Sequence, residues 1–270
     1  MKITRLLLVL SISLLFLLPA FAAFANDDMG MDARGKPDKP PGKPDPTDPT
    51  DPTDPGTGDG VVNKYALIIG ISDYEGTSSD LNYADDDARD WNDKLKIWGF
   101  SITMLLDQQA TANNIISAFQ DLAALPDGDD IVAITYSGHG YYDKSIRESG
   151  LVSSDLYLVT ASTLKNALSG MTAGAVFFFD DACNQGTMNT LVGDNWVAAI
   201  GSSKTSYTYD GDASMANGIL TYFAIHEAIE QYDYTTAEAI SNYAINTFNS
   251  ATPGRGTVYD NYSGDLNLAI

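Results

Sequence analysis

Two short segments hold the residue types that nucleophilic catalysis requires. Ser137-Gly138-His139-Gly140 follows the apolar run DIVAITY at 130–136, and Asp180-Asp181-Ala182-Cys183-Asn184-Gln185-Gly186 follows AVFFF at 175–179. Cys183 is the one cysteine of the chain and His139 one of its two histidines. An imidazole beside a thiol is expected to lower the thiol's pKa and yield a reactive thiolate. Gly138 and Gly140 permit a sharp turn and close approach of a substrate, and the amides of Gly140 and Cys183 are the expected donors to a tetrahedral oxyanion. Gly186 is expected to relax the turn after the nucleophile. Taken singly, each residue has a plainer reading: a lone cysteine as a small buried apolar side chain, a lone histidine as a satisfied local hydrogen bond. His226, inside GILTYFAIHEAIE, lacks such flanks and reads as a packing or surface residue.

The elements that must position these residues follow from apolar periodicity. KYALIIG at 64–70 is a continuous apolar run ended by glycine, as in a strand buried on both faces. Ala84, Ala88, Trp91, Leu95 and Trp98 recur at helical spacing before Gly99, and SITMLL at 101–106 reads as the next strand. Thr111 caps a second helix whose stripe is Ile115, Ile116, Phe119, Leu122 and Ala123. The turn Pro126-Asp127-Gly128 introduces the strand at 130–136, and a short helix starts at Ser162. Strands at 175–179 and 195–200 and helices at 216–232 and 235–248 complete the pattern. Alternating strands and helices predict an α/β fold, a three-layer α/β/α sandwich with a mainly parallel central sheet. Ligands of such sheets bind beyond the carboxyl ends of the strands, where both chemical segments emerge.

The 270 residues include 36 acidic and 15 basic side chains, a formal net charge of −21, which disfavours nucleic acid as a partner. One cysteine excludes an intrachain disulfide and any multi-cysteine zinc cluster. Lys2 and Arg5 precede the apolar run 6–18, and Ala23-Phe24-Ala25 offers small residues for cleavage, so residues 1–25 read as a signal peptide. An uncleaved anchor is the competing reading, and Pro19 with the cleavage site favours removal, leaving no stable membrane insertion. Residues 26–60 hold eight of eleven prolines and a repeated Pro-Thr-Asp, which predicts an extended spacer. Residues 61–270 form the expected folded domain, with 27 acidic and nine basic residues. Export predicts a secreted or cell-surface location. Keeping a lone thiol in an exported chain strengthens the catalytic reading of Cys183.

The order of these motifs resembles the caspase-like cysteine peptidases, the group of caspases, metacaspases and prokaryotic relatives. KYALIIGISDY, LNYADDDARDWNDKL, WGFSITMLLDQQATANNI and the later AAIGSSKTSYTYD and NGILTYFAIHEAI are similar to successive parts of that domain, over roughly residues 64–229. The resemblance implies a caspase-like fold, a dyad of His139 and Cys183, and hydrolysis of a peptide bond through a thioester. Its metacaspase-like branch implies cleavage after Arg or Lys, with Asp87 and Asp181 as the acidic substrate-binding positions. A carboxylate suits such a pocket because it pairs with guanidinium. Outside that role, Asp87 would be a first-turn helix residue and Asp181 a solvated strand end. Asn184 and Gln185 depart from the His and Ser common after the metacaspase cysteine. No acidic calcium-binding loop is evident between His139 and Cys183, so neither a metal nor another cofactor is expected. Lys144, Arg147 and Lys204 are candidate self-processing sites. The expected partner is a peptide or protein substrate.

Two other functions fit the same residues: a non-catalytic binding module using the cleft, and a thiol hydrolase of non-peptide amides or esters. A nucleotide site is excluded because Gly70-Ile71-Ser72-Asp73 has neither GxGxxG spacing nor a phosphate-loop lysine.

Overall fold

The computed structural model describes residues 58–269. The expected signal segment at 1–25 and nearly all of the 26–60 spacer lie outside these residues. Strand β1 (Lys64–Gly70) leads through helix α1 (Ala84–Ile97) to β2 (Ser101–Leu106), and α2 (Ala112–Ala123) leads to β3 (Ile131–Gly138). Three short strands follow, β4 (Gly140–Asp143), β5 (Glu148–Val152) and β6 (Leu158–Thr160), then α3 (Ala161–Ala167) and β7 (Ala175–Ala182). β8 (Trp196–Ile200), α4 (Ile219–Tyr222), a π-helical segment (Phe223–Ile229), α5 (Ala237–Ala251) and β9 (Thr257–Asp260) complete the order. No helix of the described residues is long and apolar enough to cross a membrane.

The main sheet has the order β2-β1-β3-β7-β8-β9, parallel except for β9, which runs against β8. Successive residues of a strand face opposite sides, which explains the two apolar layers. Ala66, Ile68, Phe177 and Phe179 pack with Trp91 and Leu95 of α1 and Ile240, Ala244 and Phe248 of α5. Leu67, Ile69, Val176 and Phe178 pack on the other side with Ile115 and Phe119 of α2 and Leu164 of α3. The three-layer α/β/α sandwich is therefore present. Truncating any of these fully buried phenylalanines to alanine would cost about 3–5 kcal/mol.

Differences from the sequence reading cluster beside the site. β3 and β7 run past their apolar stretches to Gly138 and Ala182, so the polar residues before the dyad belong to the sheet. The region between residues 139 and 161 forms a second, antiparallel sheet, β4-β5-β6, absent from the sequence reading. The helix expected at 216–232 begins instead at Ile219 and widens into π geometry at Phe223.

Candidate active site

In the β3–β7 ladder Gly138 stands opposite Ala182, so His139 and Cys183 are the next residues of neighbouring parallel strands at one rim. Both line a cavity of about 220 Å³, with Leu81, Asp181, Thr208, Asp210 and Gly218. A larger surface hollow of about 410 Å³ around Lys165, Met171 and Trp196 contains no acidic, histidine or cysteine side chain and offers no comparable chemistry.

His139 is held from three directions. Its N–H donates to Tyr74 Oη at 2.7 Å, its carbonyl accepts from Tyr136 Oη at 2.7 Å, and its ring lies 4.8 Å from that of Tyr74. Nε2 lies 2.8 Å from the Ser79 carbonyl. A carbonyl only accepts, so Nε2 carries the proton and Nδ1 keeps its lone pair. Burial holds the imidazole below its ordinary 6.5. Gly138 is required here: its φ is +156°, and a Cβ would lie 2.8 Å from both tyrosine hydroxyls.

Cys183 Sγ donates to the Thr208 carbonyl at 3.6 Å. Burial pushes its thiol up to about 11, and the nearby Asp181 and Asp180 add to the rise. Burial thus works against the thiolate expected from the sequence, favouring a neutral thiol and a neutral ring in the free site.

Gly140 faces Leu151 across β4–β5, and the Val152 amide bonds the His139 carbonyl one pair earlier. The antiparallel alternation therefore turns the Gly140 N–H away from β5. A Cβ on Gly140 would lie 2.1 Å from the Cys183 carbonyl and 1.9 Å from Gln185 Nε2, so the backbone reaches the cysteine turn only as glycine. That turn is made by Asn184 at φ 60°, a residue that tolerates the left-handed region. Gly186 serves the close approach of the Lys204 backbone rather than the turn itself, because a Cβ there would meet Lys204 N at 2.4 Å.

Asp87 and Asp181 are brought together and buried, neither a plain helix-start residue nor a solvated strand end. Asp181 Oδ2 accepts from Thr221 N at 3.0 Å and Thr221 Oγ1 at 2.9 Å. Asp87 accepts from Ser137 Oγ at 2.5 Å, Asn217 Nδ2 at 2.9 Å and Gly218 N at 2.9 Å. A Cβ on Gly218 would lie 2.7 Å from Asp181 Oδ2 and 2.8 Å from Asp87 Oδ2, so both carboxyl groups converge on this glycine. Burial raises Asp181 to about 6, and burial with the neighbouring Asp181 raises Asp87 well above the carboxylate range.

Sequence reasoning missed Tyr74, Ser79, Asp210, Asn217, Gly218 and Thr221. The dipeptide Asn217-Gly218 is a turn signal visible in the sequence, whereas the Ser79 carbonyl is a backbone group with no sequence signature. His226 is half-exposed and adds specific contacts to its packing or surface reading. Its Nε2 lies 2.9 Å from Asn217 Oδ1 and its Nδ1 2.9 Å from Glu230 Oε2.

Asp59, Asp127 and Asp129 place carboxylate oxygens within 4.8 Å of one another. They precede β1 and β3, at the rim opposite His139 and Cys183; Asp127 accepts from the Asp59 amide, Asp129 from the Gly60 amide and Asp59 from the Val61 amide. They therefore act as loop acceptors remote from the reacting atoms.

A family model of the caspase domain, Peptidase C14, matches residues 63–261. Metacaspase-4 of Arabidopsis thaliana is 28% identical over 171 residues, covering 57% of this chain and 40% of its own length. The chain thus spans less than half of that relative. The crystal structure of protein GSU0716 from Geobacter sulfurreducens matches with a TM-score of 0.58 at 20% identity, over 73% of this chain and 92% of that one, a likeness of fold alone. Because the matched region contains the sheet, both strand-end segments and the cavity between them, the chain belongs to the caspase domain family.

Proposed function

We propose that this chain is an exported cysteine endopeptidase that cleaves after Arg or Lys. The observation that carries the reading is one cavity lined by a thiol, an imidazole and the buried Asp181 carboxyl, which converges with that of Asp87 on Gly218. The neutral pair sets the order of proton transfers. Nδ1 of His139 takes the Cys183 proton as sulfur attacks the carbonyl carbon, and the amides of Gly140 and Cys183 receive the oxyanion. The imidazolium then protonates the leaving amine as the C–N bond breaks. Water, deprotonated at Nδ1, hydrolyses the thioester and the thiol is regenerated. The Ser79 carbonyl keeps Nε2 protonated, so the base nitrogen stays at Nδ1 throughout. No step draws on a metal or another cofactor.

A guanidinium or ammonium entering beside Gly218 supplies the positive charge that these desolvated carboxyl groups lack, and so favours their ionised forms. Lys144 and Arg147, exposed in the β4–β5 turn, and the exposed Lys204 are the sites at which the same preference would permit self-cleavage. The test compares Arg- and Lys-amide reporters with an uncharged analogue. Cys183→Ala should abolish turnover, and Asp181→Asn and Asp87→Asn should each weaken the preference for the basic side chain. Turnover in the Cys183→Ala protein, or full Arg preference in both aspartate variants, would defeat the corresponding part of the reading.

A further inference from the structure

Asn217 is buried, and its side-chain amide is surrounded by groups that dictate its orientation. Nδ2 donates to Asp87 Oδ1 at 2.9 Å and to Asp90 Oδ2 at 2.8 Å. The reverse orientation would aim the amide oxygen at two carboxyl groups, so Oδ1 must face His226, 2.9 Å away. An amide oxygen only accepts, which makes His226 Nε2 the donor. The other ring nitrogen, Nδ1, faces Glu230 Oε2 at 2.9 Å, again an acceptor. Both contacts are satisfied together only when both nitrogens carry hydrogen.

The surrounding charges agree. From α1, Asp90 Oδ2 lies 3.6 Å from Nε2, while Lys94 is tied to the other oxygen of Glu230 at 3.0 Å. On its own segment Glu227 is turned to Tyr243 of α5, and the ring of Tyr222 lies 5.1 Å away. Asp210, on the bridge to Gly218, accepts from Asn82. The residue sits in the π-helical segment, whose wide turn is marked by the Glu230 amide bonding the Ile225 carbonyl five residues back. Such wide turns concentrate at functional sites.

We propose that His226, donating from Nε2, is a positioning residue for the pocket that selects basic side chains: it fixes the Asn217 amide, which orients Asp87 beneath Gly218. This rests on the proposed preference for Arg and Lys. Removing the donor at position 226 leaves the Asn217 oxygen without its partner and loosens the clamp.

Two measurements test it. The first compares kcat/KM for an Arg-amide reporter and its citrulline counterpart. His226→Leu should lower the Arg-to-citrulline ratio about tenfold through KM, the worth of one buried hydrogen bond. His226→Gln, whose side-chain amide can still donate to Asn217, should keep the wild-type ratio. A His226→Leu ratio equal to wild type, or a His226→Gln ratio as low as that of His226→Leu, would overturn the proposal. The second measurement needs no turnover: in Cys183→Ala protein the side-chain NH2 signals of Asn217 should move on His226→Leu and return toward their original positions with His226→Gln. Unmoved Asn217 signals overturn the relay even in a protein that cleaves after Arg, whereas the expected shifts in a protein without Arg preference uphold the relay and remove only the Arg and Lys specificity.

Discussion

Asp181→Asn, made in the inactive Cys183→Ala background to prevent self-cleavage, should stabilise the fold at neutral and alkaline pH. The wild-type carboxyl is buried and pushed up to about 6, against 3.8 for an ordinary aspartate. Each tenfold change in proton affinity is about 1.4 kcal/mol, so the ionised group costs the folded state about 3 kcal/mol. A folded pKa above the unfolded one means that stability is intact below pH 3.8, falls as pH rises through 6, and is level thereafter. Asparagine has no charge to lose. Its Oδ1 can still accept from Thr221, so the hydrogen bonds at 2.9 and 3.0 Å survive. At about 2–4 °C per kcal/mol for a domain of this size, the variant should melt about 6–12 °C above its background at pH 8 and nearly level with it at pH 4. Thermal unfolding by circular dichroism across that range reads the difference. A variant no more stable than its background at pH 8, or one with the same gain at both pH values, would refute the reasoning. Confirmation would identify a carboxylate that weakens the fold, as sites built for function do.

Two shorter tests bear on the dyad. With its thiol pushed up to about 11 by burial, Cys183 should react slowly with iodoacetamide at pH 7, and the rate should rise about tenfold per pH unit to pH 10; a rate already level at pH 7 would show a preformed ion pair instead. Tyr74→Phe removes the oxygen that takes the His139 N–H at 2.7 Å. Leaving that donor unpaired should cost about 1–3 kcal/mol in urea unfolding and lower kcat more than it changes KM, and unchanged values of both would dismiss the tyrosine as a support of the dyad.

The parts of the fold legible in the sequence were those set by apolar continuity. β1 has the bounds that KYALIIG suggests, because a strand covered on both faces is apolar throughout, and the edge strand β2 has those of SITMLL, whose first residues alternate between exposed and half-buried. The ends of β3 and β7 were not legible, since Ser137, Asp180 and Asp181 look like solvated polar residues until the fold buries them, Ser137 and Asp181 beside α1 and the 217–221 segment and Asp180 on the opposite face. The β4-β5-β6 sheet was hidden for a different reason. Its strands are three to five residues long and its first turn carries Lys144, Ser145 and Arg147, so neither length nor alternation marks it. The π segment was invisible because a hydrophobic stripe reports which side is buried but not an extra residue in one turn. The two chemical segments themselves were legible from residue type and from their common position after apolar strands, which the β3–β7 pairing joins.

The alternation of β7 also explains why adjacent aspartates have different prospects. Asp180 continues the side of Val176 and Phe178, toward α2 and α3, and neither of its side-chain oxygens has a hydrogen-bond partner among the described residues. Burial, with the charge of Asp181 next to it, pushes its pKa well above the usual range and favours the neutral acid. Asp181 continues the side of Phe179, where Thr221 supplies two donors, and it lines the cavity with Cys183 two residues on. Donors stabilise a carboxylate and a vacant shell does not, so under the proposed preference for Arg and Lys the guanidinium would pair with Asp181, with Asp87 reached across Gly218. The spacing of two between Asp181 and Cys183 is therefore a physical constraint: it lets the first residue past β7 continue the face that Asp181 occupies, which a spacing of three would not.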